Sequence, residues 1–173
     1  MFITILTMIS IVAFAQDFGK VCQDKLQWFK KMEGRWEGTS WQYSQQGERS
    51  ETQVAERVEF GLDGTIVSFR GLGTLTRADR VDTVHNALGI LSYNPFSKEY
   101  QLNSWIDRGM STTAQVEILT DDAFSWSFMA GDRTIRYHVK VQGDTWVEKG
   151  ETSTDGEQWF PFMGMELSRV RLD

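Results

Sequence analysis

The sequence predicts an all-β fold, an antiparallel up-and-down barrel of about ten strands with one short N-terminal helix capping an end. Three observations predict it. Nine turn signals divide residues 35–171 into ten segments of strand length, the segments alternate apolar with polar residues, and helical periodicity occurs only before the first segment. Ten antiparallel strands in an open sheet would leave two exposed edges, which closure removes. A two-sheet sandwich fits the same pattern and is the alternative.

The helix is predicted over residues 21–32, where one apolar stripe recurs at spacings of four, three and three residues. The stripe consists of Cys22, Leu26, Phe29 and Met32. Gly34 follows and is expected to cap the helix in the left-handed conformation. The apolar face of such a short helix needs a surface to cover, which the end of a barrel supplies.

The strands are bounded by residues that favour tight turns. These turns are Gln46-Gly47, Asp63-Gly64, Ala78-Asp79, Asn94-Pro95, Arg108-Gly109, Asp121-Asp122, Gly131-Asp132, Gly143-Asp144 and Asp155-Gly156. Between them the side chains alternate with a period of two. In "FSWSFMA", for example, Phe124, Trp126 and Phe128 share one face, and the serines occupy the other. This pattern is typical of half-buried antiparallel strands.

The first fifteen residues are uncharged, mostly apolar, and end in Ala13-Phe14-Ala15. This predicts a signal peptide cleaved before Gln16, and therefore a secreted or periplasmic protein. The run is shorter than the roughly 20 apolar residues of a membrane-spanning helix. A buried N-terminal strand is the alternative. Residues 16–173 are expected to form a single domain.

Composition narrows the range of partners. The chain has 24 acidic and 18 basic residues, a net charge of −6, and no basic cluster, which argues against nucleic acid and anionic membranes. Cys22 is the only cysteine, so neither a disulfide framework nor a thiolate metal site is expected. We expect no metal and no cofactor. The sequence does not indicate an oligomeric state.

The stretch "KMEGRWEGTSW" places Gly34-x-Trp36 directly after the helix, ahead of a meander of strands. This resembles the calycin superfamily, which includes lipocalins, fatty-acid-binding proteins and nitrobindin-like barrels. In lipocalins the tryptophan plugs the closed end, and an arginine late in the last strand lies across its ring. The resemblance therefore implies structural roles for Trp36 and Arg169. Arg169 is in phase with Met163, Met165 and Leu167.

Two further segments, 89–110 and 150–170, resemble a family of small secreted bacterial calycin-like proteins of unknown function. Nitrobindin-like barrels bind haem through a histidine near the end of the barrel sequence. In this chain the histidines are His85 and His138, and nothing after His138 offers an imidazole. His138 also shares its face with Arg136 and Lys140. We therefore expect no haem.

The most plausible partner is a small apolar or amphipathic molecule, such as a lipid or a lipophilic metabolite, bound inside the barrel. A barrel of roughly 8 strands already holds one small ligand. Polar groups in phase with apolar neighbours (Glu56, His85 and Ser104) are candidates to fix a polar head group. The apolar lining is predicted to be Tyr93, Met110, Trp126, Phe128, Phe162, Met163 and Met165. The same rings and methionines would also suit a packed core.

Two other functions remain open. The cavity could serve an isomerase or hydrolase that uses Glu56 or His85 as a base, although no catalytic motif is present and no catalytic residue is assigned. Alternatively, the outer surface could bind a partner through Trp41, Tyr43 and Trp105. A shifted pKa in the cavity would favour the first function, and a contiguous exposed aromatic patch would favour the second.

Overall fold

The computed structural model describes residues 18–44 and 46–171, so the predicted signal peptide lies outside the described residues. Ten antiparallel strands form one sheet in which each strand pairs with the next, and β1 also pairs with β10. The closed barrel confirms the predicted fold and excludes the sandwich. The strands are β1 Gly34–Tyr43, β2 Arg49–Gly61, β3 Ile66–Arg77, β4 Arg80–Asn94, β5 Glu99–Ile106, β6 Ser111–Ile118, β7 Ala123–Ala130, β8 Arg133–Gln142, β9 Thr145–Ser153 and β10 Phe160–Arg169.

All nine predicted turns lie between consecutive strands of the barrel. The barrel closes where β1 meets β10, with Trp36 opposite Arg169 and Gly38 opposite Leu167. A Cβ atom on Gly38 would collide with the backbone carbonyl of Glu166. Glycine is therefore required at this position for the two strands to approach closely enough to pair.

The N-terminal helix is α-helical over residues 18–26 and continues as a 3-10 helix, Gln27–Met32. Leu26, Phe29 and Met32 are all 0% exposed, which confirms the predicted apolar stripe. The positive φ predicted for Gly34 is present, but it falls within β1. Glu33 ends the helix in an extended conformation, and Gly34 (φ +125°) is already the first residue of β1. A side chain at Gly34 would crowd the guanidinium of Arg169, whose Nη1 lies 3.1 Å from the Cβ position.

The helix covers one end of the barrel, which we call the closed end. There the helix contacts the turns that follow β2 and β6: Gln23 donates a hydrogen bond to the Asp63 carbonyl (2.7 Å) and Trp28 to the Thr120 carbonyl (3.1 Å). The turns that follow β1, β3, β5, β7 and β9 lie at the opposite end, which we call the open end. No helix within the described residues is long and apolar enough to cross a membrane.

The hydrophobic core fills the closed end. Phe29 packs edge-on against Phe124 (5.3 Å between ring centroids), and Trp36 packs edge-on against Trp146 (5.8 Å). The guanidinium of Arg169 lies 4.1 Å from the ring centroid of Trp36. Other buried members of this core are Val58, Val67, Leu91, Val116, Val139, Val141 and Leu167. The helix and the inward-facing side chains together form a packed core at this end of the barrel.

Candidate ligand site inside the barrel

Beyond the core, towards the open end, aromatic rings line one side of the interior. Trp126 on β7 stacks face to face on Tyr137 of β8, with 3.9 Å between ring centroids and an interplanar angle of 6°. Phe128 stacks on Trp126 at 5.9 Å, and Phe162 of β10 meets Tyr137 edge-on at 5.7 Å. These four side chains point into the barrel yet are only partly buried. Some of the interior surface is therefore accessible to water.

Small residues line the opposite side of the barrel. In the ring of ten strands β3 is diametrically opposite β8. Gly71 and Gly73 of β3 face inward, and their partners on β4 are Ala87 and His85. The space that side chains would take at the two glycines is used by their neighbours, the Glu56 carboxyl beside Gly71 and His85 beside Gly73, so this wall brings polar groups opposite the aromatic rings.

Two carboxyl groups face this interior. Glu56 on β2 is paired with Gly71, and its carboxylate occupies the space that a Cβ atom on Gly71 would take. Glu148 on β9 is paired with Val139 and Met165, and it is 8% exposed. Within residues 18–44 and 46–171, no basic side chain forms an ion pair with either carboxylate.

Burial controls the ionisation of this pair. Burial, with a smaller contribution from the charge of Glu148, raises the pKa of Glu56 from 4.5 to about 8. Burial also raises the pKa of Glu148 from 4.5 to about 7, although the indole N–H groups of Trp146 and Trp126 oppose the shift. Burial and the charge of Glu148 likewise raise the pKa of the Tyr137 hydroxyl. The two carboxyls therefore titrate around neutral pH.

The indole of Trp146 leaves a donor unused beside this pair. Trp146 is 4% exposed, and its Nε1–H does not meet hydrogen-bond geometry with any described residue. It lies near enough to Glu148 to stabilise the ionised carboxylate, but not at the distance and angle of a full hydrogen bond. The Oγ1 of Thr152, which belongs to the same strand, is also buried without a partner among the described residues.

His85 lies apart from the carboxyl pair, at the rim of the open end. It faces the same side of the sheet as Gly73 and is exposed. Partial burial lowers the pKa of its imidazole, Asp107 acts in the opposite direction, and Arg108 adds to the lowering. No hydrogen bond or ion pair joins His85 to Glu56 in the described part of the chain.

The other predicted ligand-binding residues lie at different depths in the barrel. Ser104 faces inward on β5 between Gly89 and Thr112, and Met163 and Met165 face inward on β10. Tyr93 instead packs at the closed end, 5.0 Å from the ring of Tyr100.

Met110 does not line the interior. It lies in the turn between β5 and β6, and its side chain is 60% exposed. The prediction that Met110 faces the cavity requires it to belong to a strand. In the structure it lies in the turn, directly after Gly109 (φ +78°).

The sequence-based site lacked Glu148, Trp146 and the glycine wall. In the segment "TWVEKGETS", Trp146, Glu148 and Gly150 share one face, and Val147, Lys149 and Glu151 share the other. Neither face is clearly apolar, so the alternation does not identify the inner one. The size of Trp146 is the one signal that favours its own face, and it would have placed Glu148 inside.

Exposed apolar side chains surround the open end, each of them more than half exposed. This apolar rim consists of Val81, Met110, Met129 and Phe160. The aromatic residues on the outer wall are arranged differently. Trp41 and Tyr43 touch each other (5.4 Å), but Trp105 is on β5, four strands away from β1. The three residues do not form the contiguous patch that a surface interaction module would favour.

Metal binding finds no support in the described residues. No three of the histidine, cysteine, aspartate and glutamate side chains in 18–44 and 46–171 are grouped so as to hold a metal ion. The carboxyl pair is instead suited to exchange protons or to hydrogen-bond a ligand, because its pKa values of about 8 and about 7 lie at or just above neutral pH.

The architecture is a closed, antiparallel ten-stranded barrel, and solved structures with a similar fold are known. Rv2717c from M. tuberculosis superposes with a TM-score of 0.62 at 12% identity, covering 84% of this chain and 97% of that one. The S-type phycobiliprotein lyase CPES from Guillardia theta gives a TM-score of 0.60 at 9% identity, covering 90% and 99%. No protein-family model and no curated protein sequence matches the chain. At these identities the likeness concerns the fold.

Proposed function

We propose that the protein binds a small apolar or amphipathic molecule non-covalently inside the barrel, in the half that faces the open end. One observation carries the proposal. The inward-facing rings of Trp126, Phe128 and Tyr137 are only partly buried, whereas inward-facing residues of the same strands at the closed end are almost completely buried. A packed interior would bury both sets alike.

Other features support the same function. The rings face a wall of glycine and alanine, an arrangement that accommodates a flat or chain-like apolar molecule. The apolar rim (Val81, Met110, Met129 and Phe160) offers apolar contacts to such a molecule as it enters the barrel. The barrel of the S-type phycobiliprotein lyase has the same fold.

The test is to fill the proposed space. Ser104→Phe adds a ring to the inner face of β5, and Gln101→Phe adds the same ring to the exposed outer face of that strand. Binding of Nile red, a neutral apolar dye, is measured by fluorescence, and thermal unfolding is measured alongside. We expect Ser104→Phe to lose at least about tenfold in affinity, about 1.4 kcal/mol, with little change in Tm. Gln101→Phe should bind as wild type does.

Two results would contradict the proposal. One is the absence of dye binding by the wild-type protein. The other is a Ser104→Phe variant that is destabilised by the roughly 1–3 kcal/mol typical of an overpacked core.

A second candidate function is acid–base catalysis on a molecule bound in the same interior. The observation that favours it is the pair of carboxyl pKa values, about 8 and about 7. At pH 7 Glu56 is mostly protonated, so its role would be that of a proton donor and not the base expected from the sequence. Chemical change of a bound ligand, followed by mass spectrometry, should then stop in Glu56→Gln while binding persists.

We further propose that the protein acts outside the cytoplasm, on the strength of the apolar run and the Ala13-Phe14-Ala15 pattern in residues 1–15. Cell fractionation with N-terminal sequencing of the mature protein is the test. A chain that begins at Gln16 supports export, and a chain that keeps its first fifteen residues contradicts it.

A further inference from the structure

The proposed binding function leaves open which polar head group the interior accepts, and the carboxyl pair bears on that question. Glu56 and Glu148 reach the interior from strands on different sides of the β1–β10 seam. Neither has a cationic partner within the described part of the chain. The basic residues beside them in sequence or register (Arg57, Arg70 and Lys149) alternate out of phase and lie on the outer face. The interior around the pair is therefore acidic.

A second, independent feature shows that the polar groups here are incompletely satisfied. Glu148 is 8% exposed and Trp146 is 4% exposed, so both are almost fully removed from bulk water. The Trp146 N–H has no hydrogen-bond partner in the described residues, and Glu148 has no ion-pair partner there. The indole N–H is a donor and needs an acceptor such as the Glu148 carboxylate, so it does not call for a cation. Buried charges are normally paired, and it is Glu148, without an ion-pair partner, that a cationic ligand would complete.

The rings around the pair add a third contribution. Trp126 and Tyr137 present a stacked aromatic surface, and Trp146 lies at the boundary with the closed-end core. A cation over an aromatic face is stabilised by the ring quadrupole. The shared faces of Trp126 and Tyr137 are only 3.9 Å apart, so a cation could use only the faces that point away from the stack. A carboxylate ligand would instead meet the negative charge of Glu148, which no basic side chain among the described residues pairs with, so an anionic head group is disfavoured.

We propose, on the basis of the binding function above, that the interior selects amphipathic ligands with a protonated amine head, held by Glu56 and Glu148 against the rings of Trp126, Tyr137 and Trp146. The amine supplies the cationic partner that the described residues do not give to either carboxyl, and the apolar tail lies along the aromatic wall towards the open end. Fatty acids, which the resemblance to fatty-acid-binding proteins would suggest as ligands, should then bind poorly.

Three probes with the same tail separate the head groups: 1-dodecylamine, 1-dodecanol and dodecanoate. Each displaces Nile red from the protein at pH 7. We expect the amine to bind about tenfold more tightly than the alcohol, a difference of about 1.4 kcal/mol, and dodecanoate to bind more weakly than the alcohol. In Glu148→Gln and Glu56→Gln the amine should lose its advantage while dodecanol affinity is retained. Glu166→Gln, on the exposed outer face of β10, is the charge-matched control.

A pH titration of the wild-type protein gives a second measurement that needs no variant. Alkyl ammonium groups stay protonated over pH 5–8, as lysine does. The titratable groups that face the interior near the pair are Glu56, Glu148 and Tyr137, with His85 at the rim. Because protons compete with the amine for the carboxylates, the preference for amine over alcohol should shrink as the pH falls from 8 to 5.

The possible outcomes separate this inference from the proposed function. Equal affinity for the three probes, or tightest binding of dodecanoate, overturns the amine selectivity and leaves the binding function intact. Failure of all three probes and of Nile red to bind overturns both. An amine preference that survives in both glutamine variants also overturns the inference, since the selectivity would then come from another part of the protein.

Discussion

Replacing either interior glutamate with glutamine should stabilise the protein at alkaline pH, and the structure sets the sign and size of the effect. The folded-state pKa values of Glu56 and Glu148 lie above the ordinary value of 4.5. Between pH 4.5 and about 8 the folded protein therefore holds protons that the unfolded chain has released. The contribution of these groups to stability is complete below pH 4.5 and is lost as the pH rises through 7 and 8.

The magnitude follows from the two pKa values. For Glu56 the difference between 4.5 and about 8 corresponds to roughly 5 kcal/mol, and for Glu148 the difference between 4.5 and about 7 to roughly 3 kcal/mol. These are upper bounds, because Glu56 retains some accessible surface and relaxation of the interior reduces the penalty. We expect Glu56→Gln to raise the free energy of unfolding by at least about 2 kcal/mol at pH 8.5 relative to wild type.

The assay is urea unfolding of wild type, Glu56→Gln, Glu148→Gln and the outer-face control Glu166→Gln at pH 5.0, 7.0 and 8.5. The wild type and the control should lose stability across this range, and the two interior variants should lose less. The double variant should gain less than the sum of the single variants, because the Glu148 charge contributes to the raised pKa of Glu56. Interior variants whose stability follows the same pH dependence as the control would refute the buried carboxyl pair.

Two further predictions concern the closed end. Arg169→Met removes the guanidinium that lies 4.1 Å from Trp36 and pairs with Asp144, and it should cost about 2 kcal/mol in unfolding free energy. Arg171→Met loses only a highly exposed ion pair with Asp144 and should cost less than about 0.5 kcal/mol. Differential scanning calorimetry decides, and equal losses would remove the special role of Arg169. Gly34→Ala should lower Tm because of the positive φ and the nearby guanidinium, whereas Gly19→Ala, with open space around it, should not; an unchanged Tm in Gly34→Ala would contradict the account of this junction.

The strand architecture was predictable from the sequence because its determinants are local. Each of the nine turns rests on residues that adopt tight turns through their own backbone preferences, and each strand shows its inner face by alternation within a few residues. The buried stripe of the helix is local in the same sense. The surroundings of Gly34 at the end of the helix are not local, because the nearest side chain is that of Arg169, near the other end of the sequence.

The arrangement of the interior was less accessible for the same reason. Glu56 was recognised as inward-facing because Val54, Val58 and Phe60 mark its face as apolar. Glu148 belongs to a strand with two mixed faces, and its relation to Glu56 depends on how the barrel closes between β1 and β10. Alternation also does not reveal depth. It assigned Tyr93 and Trp126 to the same lining, whereas the first packs under the helix and the second faces the open half.

The two halves of the barrel differ in what they contribute to the free energy of folding. The closed end combines a buried apolar core with Arg169, whose guanidinium donates a hydrogen bond to the Glu33 carbonyl, and both stabilise the fold. Beyond this core, the two carboxyls have no ion-pair partner among the described residues, and the Trp146 N–H at the core boundary has no hydrogen-bond acceptor among them. Each of these groups costs stability at neutral pH. Leucine or glutamine at these positions would remove the cost without changing the strand pairing. A buried polar constellation that weakens the fold, next to aromatic rings that stay partly accessible to water, is the arrangement that the proposed ligand binding would account for.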